Sequence, residues 1–476
     1  MDNQVSLIYL LIVLQILLFI LSGTTSDTKV PNGLSLKMIH IDSPNSPMYQ
    51  SNLTDEERIK KYVEISTARV KSLARSNAFR NKSMRSPNLN DIVIRPSLTV
   101  QNVLYLVQVG IGTFHDEFPT SRTYYLGVDT ASTLIWTQCE GCRNCFHQAY
   151  PYFPAARSST YYAFPCSLCP EGAQCQHNGC RFEREYIDNS RVVATVAKEV
   201  FTFASEDGRT HSIHDIIFGC GYDMQDFSEG ENPNNKFSGF IGMGYGYYGF
   251  MSQTQLMLYG RFSYCLQSVF AQGNSSPMYL RFGNDVLPIE GTQTTRMYQY
   301  GDNPGYYLSL LDISVDGQRL HIPPAYFAIK NDGSGGCIID SGTATSWIVT
   351  GAYEVVKQAI QRFIGRNNRS LKEKRTAHEG FEFCYKGYND PSRLHLPTVT
   401  FHFENNADFV IDVTEAFIFF NTRAGKVFCM GFKKSTYRLN NGVTYLGVTQ
   451  QINKRIIYDT MNSVLHFATT DCSEEG

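Results

Sequence analysis

Two aspartates lie in matching local sequence, and that repetition constrains the fold more than any other feature of the chain. Asp129 stands in Leu126-Gly127-Val128-Asp129-Thr130-Ala131-Ser132, and Asp340 in Cys337-Ile338-Ile339-Asp340-Ser341-Gly342-Thr343. The only two tryptophans, Trp136 and Trp347, each follow their aspartate by seven residues. An apolar-apolar-Gly triplet follows in each half, Phe240-Ile241-Gly242 and Tyr445-Leu446-Gly447. One structural unit used twice would offer one carboxylate from each copy to a shared site. Two carboxylates held close cannot both ionise freely, so they share a proton and can act as acid and base together.

The 476 residues allow more than one core, and a net charge of -2 gives no sign of a nucleic-acid binder. The charge is unevenly placed. Residues 27–95 carry 12 Lys and Arg against 7 Asp and Glu, a balance of +5; with Asp2 counted, residues 96–476 are left at -6. A basic leader before an acidic body suits a segment that docks on the body and is later removed, with a flexible basic linker as the plainer alternative. The N-terminus is apolar from Leu7 to Leu21 apart from Gln15, and small residues from Ser22 to Ser26 follow. This reads as a signal peptide over 1–26, with a signal anchor as the alternative because the start lacks Lys and Arg. No later run is long and apolar enough to cross a bilayer, and the last residues form no hydrophobic tail.

Behind such a signal the cysteines read as disulfides rather than metal ligands. Seven crowd together: Cys139, Cys142, Cys145, Cys166, Cys169, Cys175 and Cys180. The total of 13 is odd, and Cys337, in an apolar strand leading to Asp340, is the candidate free thiol and a small buried hydrophobe. Glycosylation sequons occur at Asn52, Asn81, Asn274 and Asn368.

Residues 55–80 carry apolar side chains at helical spacing (Ile59, Val63, Val70, Leu73), which predicts a helix in the leader. From about residue 98, short β-rich runs separated by Gly, Asn and Asp turns predict a mainly β body. These runs are 103–109, 192–203, 213–218, 306–315 and 398–403, with short helices expected at 252–259 and 352–364. Gly242-Met243-Gly244-Tyr245-Gly246 lacks the spacing and βαβ frame of a nucleotide loop and reads as turn chemistry. No HExxH, nucleophile elbow or serine or cysteine hydrolase signature is present.

Asp-Thr-x-Ser and Asp-Ser-Gly-Thr, each after an apolar strand, resemble the paired motifs of pepsin-like aspartic proteases. Further matches resemble the plant nepenthesin-type branch. They are Ile135-Trp136-Thr137-Gln138-Cys139 with the cysteine-rich stretch after it, Phe218-Gly219-Cys220-Gly221, Phe262-Ser263-Tyr264-Cys265, Gln450-Gln451-Ile452-Asn453, and the leader segment from Ile39 to Pro47. The resemblance implies a bilobal pepsin-like fold, two related β lobes with a cleft and flap between them. Its divisions would be a signal peptide 1–26, a propeptide 27–95, an N-terminal lobe 96–300 with a cysteine-rich insert 139–180, and a C-terminal lobe 301–476. It implies Asp129 and Asp340 as the catalytic pair, with Thr130, Ser132, Ser341, Gly342 and Thr343 in support. Tyr186 would be the flap tyrosine. The disulfide cysteines would be Cys220, Cys265, Cys384, Cys429 and Cys472 together with the seven crowded ones.

Three departures stand out. Ala131 replaces the usual glycine, and would be strained if that position needs positive φ. Ile187 and Asn189 replace flap glycines, and Val448 replaces an asparagine. The expected activity is that of a secreted aspartic endopeptidase, made as a zymogen and favouring acid pH. It would be a monomer acting on polypeptides, restrained by its own propeptide, with no cofactor, metal, nucleic acid or stable membrane anchor. The expected destination is the apoplast, with the vacuole as alternative. The competing reading is a non-catalytic or weakly active binding protein on the same scaffold, such as an inhibitor of another hydrolase.

Overall fold

The computed structural model describes residues 33–80, 104–185, 191–204, 210–225, 235–268, 277–301, 303–330, 334–368, 371–374, 380–386, 388, 390–423 and 425–474. The expected signal peptide and the leader's junction with the body lie outside these residues.

The chain is mainly β, in two lobes, and the duplicated sequence marks duplicated topology. In the first lobe the strand Arg122–Asp129 delivers the aspartate, and Phe237–Gly242 pairs with it in parallel, Ile241 opposite Val128 and Gly242 opposite Asp129. In the second, Cys337–Ile339 leads into Asp340 and pairs in parallel with Thr444–Leu446, Ile339 opposite Leu446. The two tryptophans close the same loop in each lobe: Trp136 pairs antiparallel with Phe240, and Trp347 with Tyr445. Both glycines that end the triplets sit where backbone crosses backbone. A Cβ on Gly242 would lie 2.4 Å from the Thr133 carbonyl carbon, and one on Gly447 would lie 2.6 Å from that of Thr345.

A platform of antiparallel strands joins the lobes. Met278–Gly283, Arg261–Cys265, Lys454–Asp459, Val464–Thr469 and Gln293–Tyr298 pair in that order. The leader supplies a further strand to its edge. Gly33–His40 pairs antiparallel with Met278–Gly283 and, through Met38 to His40, with Tyr105 to Val107. Leu34, Leu36 and Met38 are buried while Lys37 is exposed, the period-two pattern of a half-buried strand. Sequence periodicity alone passed over this strand, because its hydrophobic face exists only once the platform is there to cover it.

The expected leader helix spans Asp55–Arg80. Its start is a capping box: the Glu57 N–H donates to the Thr54 hydroxyl at 3.3 Å, and the Thr54 N–H donates to the Glu57 carboxylate at 2.8 Å. Asp55, Glu56 and Glu57 in the first turn suit the helix dipole. The apolar stripe packs as its spacing predicts. Ile59 and Val63 join Phe381, Ile418 and the Cys384–Cys429 disulfide, and Val70 joins Tyr307, Ile338, Trp347 and Tyr445.

Two expectations need correction. The stretch 252–259 is not a continuous helix: helical geometry is confined to Phe250–Gln253, and the chain then turns, reaching positive φ at Tyr259 and Gly260. The run 306–315 is not one strand. Tyr306–Leu308 pairs with Cys337–Ile339, whereas Leu310–Val315 crosses to pair with Val399–Phe403 in a separate four-stranded sheet. The helix expected at 352–364 is the core of Thr350–Asn367.

The crossing at the two triplet glycines gives a direct test. Gly242→Ala and Gly447→Ala should each destabilise the fold by about 1–3 kcal/mol, because backbone, not a movable side chain, meets the new methyl. Chemical denaturation monitored by tryptophan fluorescence measures this, and wild-type midpoints for both variants would disprove the close crossing.

Candidate active site

Asp129 and Asp340 end their strands at the lobe interface, 3% and 0% exposed. Their backbones are linked by symmetry-related residues. The Thr130 hydroxyl accepts the Ser341 N–H at 2.9 Å and donates to Asp340 Oδ1 at 3.4 Å. The Asp129 carboxylate accepts the Ala131 N–H at 2.9 Å, and Asp340 accepts the Gly342 N–H at 3.1 Å and the Thr343 hydroxyl at 2.6 Å. The symmetry is not complete: the Ser341 hydroxyl is buried without a partner among the described residues.

One guanidinium spans both acids. Arg69, on the leader helix, donates from Nη1 to Asp129 Oδ2 at 2.9 Å, from Nε to Asp340 Oδ2 at 3.0 Å and from Nη2 to Asp340 Oδ1 at 3.1 Å; Nη2 also pairs with Asp129 Oδ1. Burial pushes the Asp340 carboxyl up, but the Arg69 charge and hydrogen bonds, with those from Thr343 and Gly342, outweigh it and hold Asp340 below the usual carboxylate range. Burial opposes the Arg69 charge, and the two aspartates more than restore it, so its pKa is raised.

The helix is fastened one turn before Arg69. The Ser66 hydroxyl donates to the Thr345 carbonyl at 3.3 Å and accepts the Thr345 N–H at 3.3 Å and the Trp347 indole N–H at 2.9 Å. Sequence reasoning identified the helix but passed over Arg69 and Ser66. The available signal was a basic residue beside the apolar stripe, next to Val70.

Ala131 adopts an ordinary backbone conformation, not positive φ, so the conditional strain is not incurred. The matching glycine of the other lobe has a different reason to be small. A Cβ on Gly342 would lie 2.8 Å from Arg69 Nε, so Gly342 makes room for whatever occupies the cleft. Ser132 departs from its expected support role: among the described residues its hydroxyl makes no bond to Asp129, whose Oδ2 is taken by Arg69, and its carbonyl accepts the Gly244 N–H at 2.8 Å. Tyr186, Ile187 and Asn189 lie outside the described residues.

Three comparisons bear on this arrangement. The chain is 31% identical to the aspartic proteinase nepenthesin-1 of Nepenthes gracilis, covering 92% of this chain and 90% of that one. It is 32% identical to nepenthesin-2 of the same plant over the same shares. It belongs to the nepenthesin-type branch of the pepsin-like aspartic proteases. Residues 105–284 match the family described as xylanase inhibitor N-terminal, and 305–469 the one described as xylanase inhibitor C-terminal. Among solved structures, basic 7S globulin from soybean shares the fold at a TM-score of 0.58 and 15% identity, covering 80% of this chain and 95% of that one.

In this nepenthesin-type chain the twelve candidate cysteines form six disulfides: Cys139–Cys220, Cys142–Cys145, Cys166–Cys175, Cys169–Cys180, Cys265–Cys472 and Cys384–Cys429. Cys337 is a buried free thiol, pushed up by burial. Among the described residues no cluster of His, Cys, Asp and Glu could hold a metal. Asn52 is exposed. The Asn368 side chain is engaged with the His395 backbone at 2.6 and 3.0 Å. Asn81 and Asn274 lie outside the described residues.

A second buried ionisable group fixes the leader. His40, at the end of the leader strand, is fully buried between Tyr62 of the leader helix and Tyr105 of the body. Its Nδ1 accepts the Asp42 N–H at 3.1 Å, so the proton sits on Nε2, which has no acceptor among the described residues. Asp42, itself paired with Arg58, and Lys61 are the charged neighbours. Burial lowers the His40 pKa from 6.5 to about 4, Asp42 acting against this and Lys61 with it.

The sign follows. A leader released from the body would take up a proton at His40 as pH falls below 6.5, whereas the docked one would resist until about 4, so docking is expected to weaken through that window by roughly 3 kcal/mol. His40→Asn, which keeps an acceptor for the Asp42 N–H, should remove this part of the pH dependence of amide exchange in 33–40. An unchanged profile would show that His40 is not the responsible group. Ala131→Gly, by contrast, should shift stability by less than about 1 kcal/mol, because no strain is there to relieve; thermal denaturation measures it.

Proposed function

We propose that the chain is a secreted aspartic endopeptidase, made as a zymogen, in which Asp129 and Asp340 activate a water to hydrolyse peptide bonds at acid pH. The observation that carries this reading is the bridging of both carboxylates by the single Arg69 guanidinium, which requires the acids of the two lobes to face one small volume. Residues 1–26 would direct secretion, 27–95 would be the removable segment, and the sequons would carry glycans.

With the leader displaced, a water between the carboxylates would give a proton to the ionised member of the pair and attack the substrate carbonyl. The protonated partner would support the developing oxyanion and then help protonate the leaving amine. Acid favours opening twice over. His40 weakens docking from pH 6.5 to 4. Asp340, held low by Arg69, withdraws its share as pH falls through that depressed value, below the ordinary carboxylate range.

A second reading, a binding protein that occupies another enzyme's cleft, is favoured by the xylanase-inhibitor descriptions of both matched families. One experiment separates the two. The chain from residue 27 is acidified and offered peptide substrates with and without a statine-type transition-state analogue. Cleavage should appear, be blocked by the analogue, and fall at least about a thousandfold in Asp129→Asn and Asp340→Asn. Arg69→Met should hasten its onset at a given pH. Processed, folded protein with no cleavage above the aspartate variants would leave the binding reading.

A further inference from the structure

Lys433 lies in the strand Phe432–Ser435, directly opposite Trp347 in the parallel pair with Ser346–Val349. Its ammonium sits 4.9 Å from the Trp347 ring centre and 5.9 Å from that of Phe381. The carboxylates of the neighbourhood are engaged by the next residue: Lys434 holds Glu354 at 3.2 Å and Glu382 at 3.4 Å. Among the described residues Lys433 has no ion pair, and its one hydrogen bond goes to the Thr67 hydroxyl of the leader helix at 3.4 Å. Thr67 is an uncharged partner whose own proton is directed to the Val63 carbonyl at 2.8 Å.

The leader is what covers this lysine. Thr67 follows Ser66, which is bound to Trp347, and precedes Arg69 on the aspartates by less than one helical turn. Val63 of the same helix packs against Gly380, beside the Lys433 ammonium. Burial pushes the Lys433 pKa down to about 8, Glu382 acting against this and leader Lys71 with it. A cation is thus held against two aromatic faces beside the cleft, with no anion paired to it among the described residues. The leader sets the Thr67 hydroxyl against it and adds the like charge of Lys71 to its surroundings, where a carboxylate would be the complementary group.

We infer that Lys433 is a specificity-determining residue which, once the leader is displaced, receives an ionised Asp or Glu side chain of the substrate between Trp347 and Phe381. This rests on the protease reading of the same cleft. A carboxylate there gains a charge-assisted hydrogen bond in a partly dry setting, whereas the amide of the same shape leaves the ammonium unneutralised. Discrimination should fade below about pH 4, where the substrate acid takes up its proton.

Two measurements test the inference, one of them independent of catalysis. In the full chain, Thr67→Glu places a carboxylate over Lys433 and Thr67→Gln its neutral counterpart. Glu should protect the leader helix from amide exchange at pH 7 about tenfold more than Gln, and the difference should vanish when Lys433→Met is added. Equal protection by Glu and Gln, or a difference that survives Lys433→Met, would overturn the assignment. In the acid-processed protein, peptide pairs differing only by Glu or Gln are compared at each position. At pH 5 one position should favour Glu by about tenfold in kcat/KM, and Lys433→Met should abolish that ratio, which cancels any loss of folded enzyme. Cleavage with no such position, or with an unchanged ratio in Lys433→Met, would also overturn it. Should the processed protein cleave nothing beyond Asp129→Asn, the protease reading fails, and the exchange experiment alone decides whether Lys433 accepts an acid.

Discussion

The contact of Arg69 with both aspartates governs the arrangement of the whole N-terminal region. Two carboxylates buried at a lobe interface repel each other and have lost their water, so either a shared proton or a cation must compensate. Arg69 supplies the cation in a fork that reaches all four carboxylate oxygens. A guanidinium suits the task because its planar donors match two acids at once and it keeps its charge when buried. To reach them the helix must lie in the cleft, and to hold it there the leader uses Ser66 on Trp347, the apolar stripe on the C-terminal lobe, and a strand in the platform.

The same contact explains the unequal halves of the duplicated motif. Both lobes build the aspartate loop alike, through parallel pairing with the triplet and antiparallel pairing with the tryptophan. The difference lies in what faces the small residue after each aspartate. Gly342 lies under the Arg69 guanidinium and has no room for a methyl, whereas Ala131 is buried in an ordinary conformation. A leader that inserts at this point fills it, and docking holds both its own His40 and the Lys433 that it covers in environments that their charged forms do not favour. On the proposed zymogen reading, docking would be sensitive to pH through several groups rather than through Asp340 alone.

Much of this was legible in the chain. The motif pair, the tryptophans and the triplets gave the two related β lobes, because each element of the loop has a residue type that geometry demands, such as glycine where backbones cross. The leader helix was legible from its periodic apolar residues. Arg69, Ser66 and the strand Gly33–His40 were not, because a lone arginine, a lone serine and an eight-residue strand acquire their meaning from partners hundreds of residues away. The break between Tyr306–Leu308 and Leu310–Val315 escaped for a related reason: adjacent residues in one apolar run chose different sheets.

The sequence by itself therefore determined the duplicated scaffold and the pair of acids, since local residue chemistry repeats wherever the same turn or crossing repeats, while the set of disulfide cysteines came from the family resemblance. Only the tertiary structure decided which cation neutralises the acids, which cysteines pair, and which face of the leader enters the cleft. Those outcomes depend on distances between segments far apart in the chain, and an ion pair or a disulfide forms only where folding brings its two partners within a few ångströms.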